Sequence, residues 1–394
     1  VIIKGFTYSA VAAGIRKKDR LDLGLIYSEK PAAVAGVFTT SRVKAAPVLL
    51  DMERIGQGRG QAILVNSGVA NACTGKTGMQ AARSCSAAAA AALNIDENLL
   101  QIASTGVIGE QMPVEKVAAA MDELVGSLSP SGYGEVARAI MTTDTVPKTA
   151  ARTCLIGTSE VRLFGMAKGA GMIMPDMATM LCFVMTDAAV RADILQAHLA
   201  RGVEQSFNRI SVDGDTSTND TVLVLANGAS GNSGIDALES RDSTRFGTAL
   251  ADLLKDLALQ IVADGEGATK MVTIKVIHAV NEEEAEDAAR TIANSPLVKT
   301  AFFGEDANWG RIIAALGRSG AVFEQDRVDI SFDDVLLVQD GLAQGTAAEK
   351  EATAVLQRRQ FTVSVDLKAG EAFAEIYTCD LSLDYIKINA DYRS

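Results

Sequence analysis

Histidine is almost missing from this chain: there are two among 394 residues, His198 and His278. That scarcity makes histidine-rich metal sites, and a Ser-His-Asp or Cys-His arrangement, poor expectations. Cysteine is scarce too. The five, Cys73, Cys85, Cys154, Cys182 and Cys379, are odd in number and show no C-x-x-C spacing. That is neither a disulfide framework nor a zinc cluster, and a reducing cytoplasm is expected. No metal is expected. No apolar run approaches the ~18–20 residues of a membrane span. Positive charge is in deficit, with a net charge of −12, which argues against nucleic acid or an anionic membrane as partner. At the N-terminus Lys and Arg follow the apolar part, the reverse of a secretory signal. Val1 in place of methionine reads as a trimmed start, which leaves a removed targeting segment open.

What remains is an ordinary globular composition, 48% hydrophobic and 22% charged, long enough for two domains or one large α/β body. Residues 1–70 read as strands and turns. Helices are expected at 79–93, which is alanine-rich, and at 114–128, 132–141, 188–207, 243–263, 282–294 and 309–317. A two-stranded hairpin is expected over 154–169, and buried or half-buried strands at 221–226 and 270–280. From 328 onward the chain reads mostly as strands, including YIKINA at 385–390. The pattern implies mixed α/β or α+β layers rather than a doubly wound parallel sheet. His198 reads as a helix-surface or boundary residue, His278 as a strand residue, and the acidic run 281–290 as a solvated helix face. GASGNSG (228–234) reads as a surface loop.

Several stretches tempt a chemical reading. KGAGM lacks the third glycine of a dinucleotide fingerprint, and no P-loop is present. SVDGDTSTND would need Gly and Glu where Thr218 and Val224 stand, so it is not a calcium loop. STGVIG (104–109) is different: a Thr-Gly turn aims a hydroxyl and backbone N–H groups at one spot, the raw material of an oxyanion hole. An ordinary turn is the plainer alternative. AIMTTDTVPK (139–148) gathers hydroxyl and acid side chains after a helix. ADGEGATK sets Glu266 between two glycines, a setting suited to a substrate-binding carboxylate.

KGAGMIMPDMATMLCF (168–183) holds one hydroxyl, Thr179, with no histidine or acid beside it. A threonine without such a neighbour becomes nucleophilic chiefly at a chain terminus, where its own α-amine, of pKa ~8 in a model peptide, accepts the proton. An internal threonine reaches that state when its hydroxyl cuts the preceding peptide bond through an N-to-O acyl shift. The bland alternative is a buried threonine opening a core strand.

Taken together, LDLGLIYSEKPAAVAGVFTT, ILVNSGVANACTG, ASTGVIGE, AIMTTDTVPK, the MATML motif, SFNRISVDGDTSTNDTV, DGEGATK, GEDANWGRI and YIKINADYRS resemble the ornithine acetyltransferase family. Its members are also described as bifunctional glutamate N-acetyltransferases of arginine biosynthesis. The resemblance spans essentially the whole chain. It implies an αββα-layered sandwich, related to the N-terminal-nucleophile hydrolases but distinct from them. It implies self-cleavage between Ala178 and Thr179, giving an α chain, 1–178, and a β chain, 179–394, assembled as an α2β2 heterotetramer. Thr179 would be the nucleophile, and Thr105 and Gly106 the oxyanion hole. Thr142 or Thr143, with Lys168, would hold substrate. Glu266 would bind its amino end or assist proton movement, and Asn389 and Ser394 would close the site. The implied reaction is ping-pong transfer of acetyl from N-acetylornithine to glutamate. No cofactor is implied; acetyl-CoA would enter only as a co-substrate. A self-cleaving N-terminal-nucleophile aminopeptidase or amidohydrolase, with water as acceptor, is the alternative. Two positions depart from the family pattern, Val69 and Asp176, where asparagine is expected; neither carries an assigned catalytic role.

Overall fold

The computed structural model describes residues 2–16, 19–174 and 180–390. The chain forms two compact units, one of residues 1–208 with 215–261, the other of 209–214 with 262–394. The class is mixed α/β, with one mixed sheet in each unit, as the alternation of helical and strand patterns implies.

In the first unit an eight-stranded sheet runs in the order Leu100–Ser104, Arg59–Asn66, Leu23–Phe38, Thr221–Ala226, Leu181–Thr186, Ser159–Lys168 and Lys148–Ile156, with Phe6–Val11 also pairing with Leu23–Phe38. The central strands LCFVMT and TVLVLA are buried at every position, and they pair in parallel, Leu181 opposite Thr221. Burial on both faces explains why they read as unbroken apolar runs. The strand period of two divides one segment between two cores. Ile63 and Val65 join one cluster, with Phe164 and Phe183; Ala62 and Leu64 join the other, with Cys85 and Ala89 of the helix Gly75–Leu93. Small alanines on that helix allow its close approach.

In the second unit a seven-stranded sheet runs Leu342–Ala343, Val335–Gln339, Asp329–Phe332, Gln360–Asp366, Met271–Ala279, Ala372–Cys379 and Ile210–Ser211. Met271–Ala279 and Gln360–Asp366 alternate buried with half-buried residues. Their inward Val272, Ile274, Val276, Val363 and Val365 pack with Ala285, Ala288 and Ile292 of the helix Glu282–Ala293. That helix begins at Asn281, whose side chain accepts the Glu284 N–H, and its first turn carries three glutamates where the helix dipole favours negative charge.

Several expectations are corrected. YIKINA is not a strand but part of the helix Leu383–Ala390; Ser382 Oγ accepts the Asp384 N–H at 3.2 Å, as an N-cap does, and Lys387 pairs with Asp384. Residues 1–70 include the helix Ala46–Ile55, and Pro296–Phe303 and Thr346–Leu356 are further helices. The expected helix 114–128 is two short ones, Val114–Ala119 and Met121–Gly126. His198 is buried in Ala192–Glu204, its Nε2 2.7 Å from Ser243 Oγ. Burial and the Arg201 charge hold its pKa below the usual value, against the pull of Glu239.

Candidate active site

The Thr-Gly turn follows directly from the strand Leu100–Ser104, which runs parallel to Arg59–Asn66. Beyond their ends the two segments remain sewn together. Thr105 N donates to Asn66 O, Val107 N to Gly68 O and Ala70 N to Val107 O, at 3.0–3.1 Å. Asn66 Nδ2 holds Val69 O, and Ser104 Oγ donates to Asn66 Oδ1. Asn219 Nδ2 bonds both Ala70 O and Ser104 O, tying the two loops from a third segment. The N–H groups on either side of Gly106 are thus engaged, while that of Gly106 donates to no group among the described residues. Gly106 sits at φ +133°, a conformation L side chains rarely adopt. Val69, the departure from the family pattern, is buried beside this loop and bridges to Val107.

Lys168 ends the strand Ser159–Lys168 and is buried; its Nζ lies 3.4 Å from Thr105 Oγ1. This contact brings together Lys168 and Thr105, expected to hold substrate and oxyanion respectively and 63 residues apart in sequence. Beside them is a carboxylate that sequence reasoning did not single out. Asp144 Oδ1 accepts from Lys148 Nζ at 2.7 Å and from Gly169 N at 2.7 Å, and its Oδ2 accepts from Thr142 N at 3.0 Å. Burial alone would raise the Asp144 pKa. The positive charges of Lys168 and Lys148, with the Lys148 and Gly169 hydrogen bonds, instead bring it to about 2. Thr142 and Thr143 are half-buried in the same turn.

The candidate nucleophile Thr179, the expected cleavage site Ala178–Thr179, and Asp176 lie outside the described residues, as does Ser394. The described chain resumes at Met180, which is firmly held. Met180 N donates to Asp220 Oδ1 at 2.9 Å, Met180 O accepts from Thr221 N, and Leu181 then enters the sheet opposite Lys168. Asp220 is buried, and burial raises its pKa well above the usual carboxylate range. The Met180 N–H, the Lys168 charge, Thr39 and Ser217 act in the opposite direction without prevailing.

In the second unit Glu266 and Asn389 meet: Asn389 Nδ2 donates to Glu266 Oε2 at 2.7 Å and to Tyr385 O at 3.0 Å. The Glu266 turn is packed tightly. Gly267, at φ +68°, has no room for a side chain, because a Cβ would lie 2.5 Å from Tyr385 N; Ser382 Oγ also donates to Gly267 O. Glu266 itself is buried. Among the described residues, no three His, Cys, Asp or Glu side chains are placed to hold a metal ion. None of their helices is long and apolar enough to cross a membrane. Two open grooves of the first unit, about 580 and 380 Å³, are lined by none of the expected site residues.

Comparison with known proteins gives a consistent result. The ArgJ family model matches residues 7–394. The chain is 57% identical over 392 residues to the "Arginine biosynthesis bifunctional protein ArgJ" of Desulfotalea psychrophila, and 52% identical to the protein of the same name from Geobacter sulfurreducens. Both alignments cover 100% of each chain. Among solved structures, the arginine biosynthesis bifunctional protein of Bacillus halodurans is 44% identical with a TM-score of 0.51; the match covers 53% of this chain and 97% of that one.

Proposed function

The chain belongs to the ArgJ family, and from that premise we propose that it moves an acetyl group from N2-acetyl-L-ornithine to L-glutamate through an acetyl ester on Thr179. It is an acyltransferase of arginine biosynthesis. Self-cleavage before Thr179 gives it the α-amine that serves as base. The Thr179 hydroxyl then attacks the acetyl carbonyl while the α-amine takes its proton. The tetrahedral oxyanion is met by the Thr105 hydroxyl and the Gly106 N–H. Collapse breaks the amide C–N bond, the α-amine returns the proton to the departing nitrogen, and ornithine leaves. Glutamate's neutral amine attacks the ester, forming N-acetylglutamate and restoring Thr179.

The observation that carries this reading is the donor pattern at the Thr-Gly turn. The N–H groups of Thr105 and Val107 are held by carbonyls, the Gly106 N–H between them donates to no group among the described residues, and the Thr105 hydroxyl lies 3.4 Å from buried Lys168. Donors fixed before the reaction need no reorganisation when charge develops. Further support comes from the Bacillus halodurans structure, whose matched chain is about half as long as this one, the size of one piece of a chain cut near its middle. Cleavage at 178/179 would give two pieces of comparable length. We assign them to an α2β2 assembly in the cytoplasm, where five unpaired thiols are stable. Acetyl-CoA, where used, is a second acetyl donor to the same threonine.

Mass spectrometry after incubation with N-acetylornithine tests the reading. An added acetyl group is expected on the peptide beginning at Thr179, and it should disappear when glutamate is supplied. Acetylation elsewhere, or none, overturns the mechanism. Acetate release that does not depend on glutamate identifies a hydrolase instead. Thr105→Ala removes one oxyanion donor without altering the backbone, so kcat should fall by ~10²–10³ with little change in Tm.

A further inference from the structure

The family resemblance makes Lys168 a substrate-holding lysine, and two charged groups to which it gives no role lie beside it. Asp144 and Lys148 are an i,i+4 pair whose side chains are wholly removed from solvent. A buried ion pair made only for stability is a weak device, because desolvation offsets most of its attraction. This one does more than pair. The Asp144 carboxylate also accepts the N–H of Gly169, the residue after Lys168, and that of Thr142, in the turn expected to touch substrate. It therefore joins the two segments expected to hold substrate, in a place where carboxylate and lysines influence one another strongly.

We propose that Asp144 is a positioning residue for acetyl transfer: it fixes the Lys168 and Thr142–Thr143 backbones in mutual register and, shared with Lys148, sets how tightly Lys168 holds its proton. The proposal rests on the reading of Lys168 as a substrate ligand. Among the charged groups that act on Lys168 are Asp144, which also pairs with Lys148, and Asp220 from the turn before Thr221–Ala226. Burial drives Asp220 toward its neutral form, while Asp144 is held ionised and so contributes negative charge beside Lys168. Lys148 competes for that charge. The two partners therefore have opposite influence on Lys168, which separates this role from simple packing.

The signs follow. A nearby carboxylate raises the pKa of an ammonium group, and a nearby ammonium lowers it. Asp144→Asn should move the high-pH limb of kcat/KM, where Lys168 loses its proton, downward. It should also raise KM for N-acetylornithine more than it lowers kcat. Lys148→Met should move the same limb upward. Asp144→Glu, which keeps the charge, should restore the limb even where it lowers the rate.

The experiment measures kcat and KM from pH 6 to 10 for the wild type and the three variants, with Tm as the control for folding. In parallel, the pH dependence of Lys168 labelling by acetic anhydride is read by peptide mass spectrometry, which needs no activity. Opposite shifts for Asp144→Asn and Lys148→Met support the proposal. An unmoved limb, or shifts of both variants in one direction, overturn it. If Asp144→Asn does not fold, Lys148→Met decides alone: an upward shift supports the proposal and any other result overturns it. A wild type that transfers no acetyl group refutes the functional reading, and the labelling profiles still decide on Asp144.

Discussion

Gly106→Ala should nearly abolish acetyl transfer and lower Tm together. A Cβ at this position would lie 2.2 Å from Gly68 C, 2.4 Å from Gly68 O and 2.6 Å from Val69 N. All three are backbone atoms, so no flexible side-chain end can swing away to make room. The φ of +133° adds strain of its own, of order 1–3 kcal/mol for a residue with a Cβ. The turn must therefore open, and the bonds from Thr105 N to Asn66 O and from Val107 N to Gly68 O shift with it. Once the Gly106 N–H leaves its position, the oxyanion loses a donor, a change worth ~10²–10³ in kcat. Displacing the Thr105 hydroxyl along with it should push the loss to the upper end of that range or beyond. Steady-state kinetics and calorimetry on the same sample check both effects. The comparison with Thr105→Ala is diagnostic, because that variant should lose a similar factor in rate and keep its Tm. Equal loss of Tm in both would mean that the turn is a structural joint and not a set of donors.

How much of this was legible depends on how local each cause is. The strands LCFVMT and TVLVLA are buried on both sides and show it in every residue. The Thr-Gly turn and the isolated Glu266 stand out because glycine flanks them for reasons of backbone geometry. YIKINA misled because Ile386 and Ile388 alternate with polar residues as in a strand. The cap at Ser382, with Asp384 two residues on, carried the opposite signal. The helix Ala46–Ile55 was missed although proline stands in its first turn, where its lost N–H costs nothing. His198 is on the expected helix, but its burial depends on Phe246 and Gly247 of the helix Arg241–Ala263, some fifty residues later. A side chain at Gly247 would collide with the imidazole, at 2.3 Å from Nδ1. No local pattern encodes such a fit.

The same distinction applies to the site. Asp144 and Lys148 sit at helical spacing in TTDTVPK, yet that segment leads into a strand, and the third partner, Gly169, is 25 residues away. Only the pairing of Lys148–Ile156 with Ser159–Lys168, Lys148 opposite Ala167, brings the two ends of that hairpin together. Hairpin register thus creates the cluster, and a motif search sees only its parts. The join between Asn389 and Glu266 depends likewise on the helix Leu383–Ala390 turning back over the Gly265–Gly267 turn.

Thr179→Ala should eliminate both cleavage and transfer. In the proposed mechanism one hydroxyl performs two reactions in sequence, first on its own preceding peptide bond and then on substrate. The variant should run as a single 41.3 kDa band, and the wild type as two of comparable size. Its acetyl transfer should fall by a factor on the order of 10⁶, the loss typical when a nucleophile is deleted. Thr179→Ser keeps a hydroxyl, so it should still be cut and still transfer acetyl, at reduced rates. The wild-type rate carries a second signature. The α-amine must be neutral to accept a proton, so kcat should rise with pH through the amine's pKa, ~8 in a model peptide, and level off above it. An internal threonine has no such amine and would lack that limb. The residue that would follow the proposed terminus is fixed: Met180 is bonded through N to Asp220 and through O to Thr221, and Leu181 pairs with strands on both sides. Uncut protein that retains full transfer activity would refute this account of Thr179 outright.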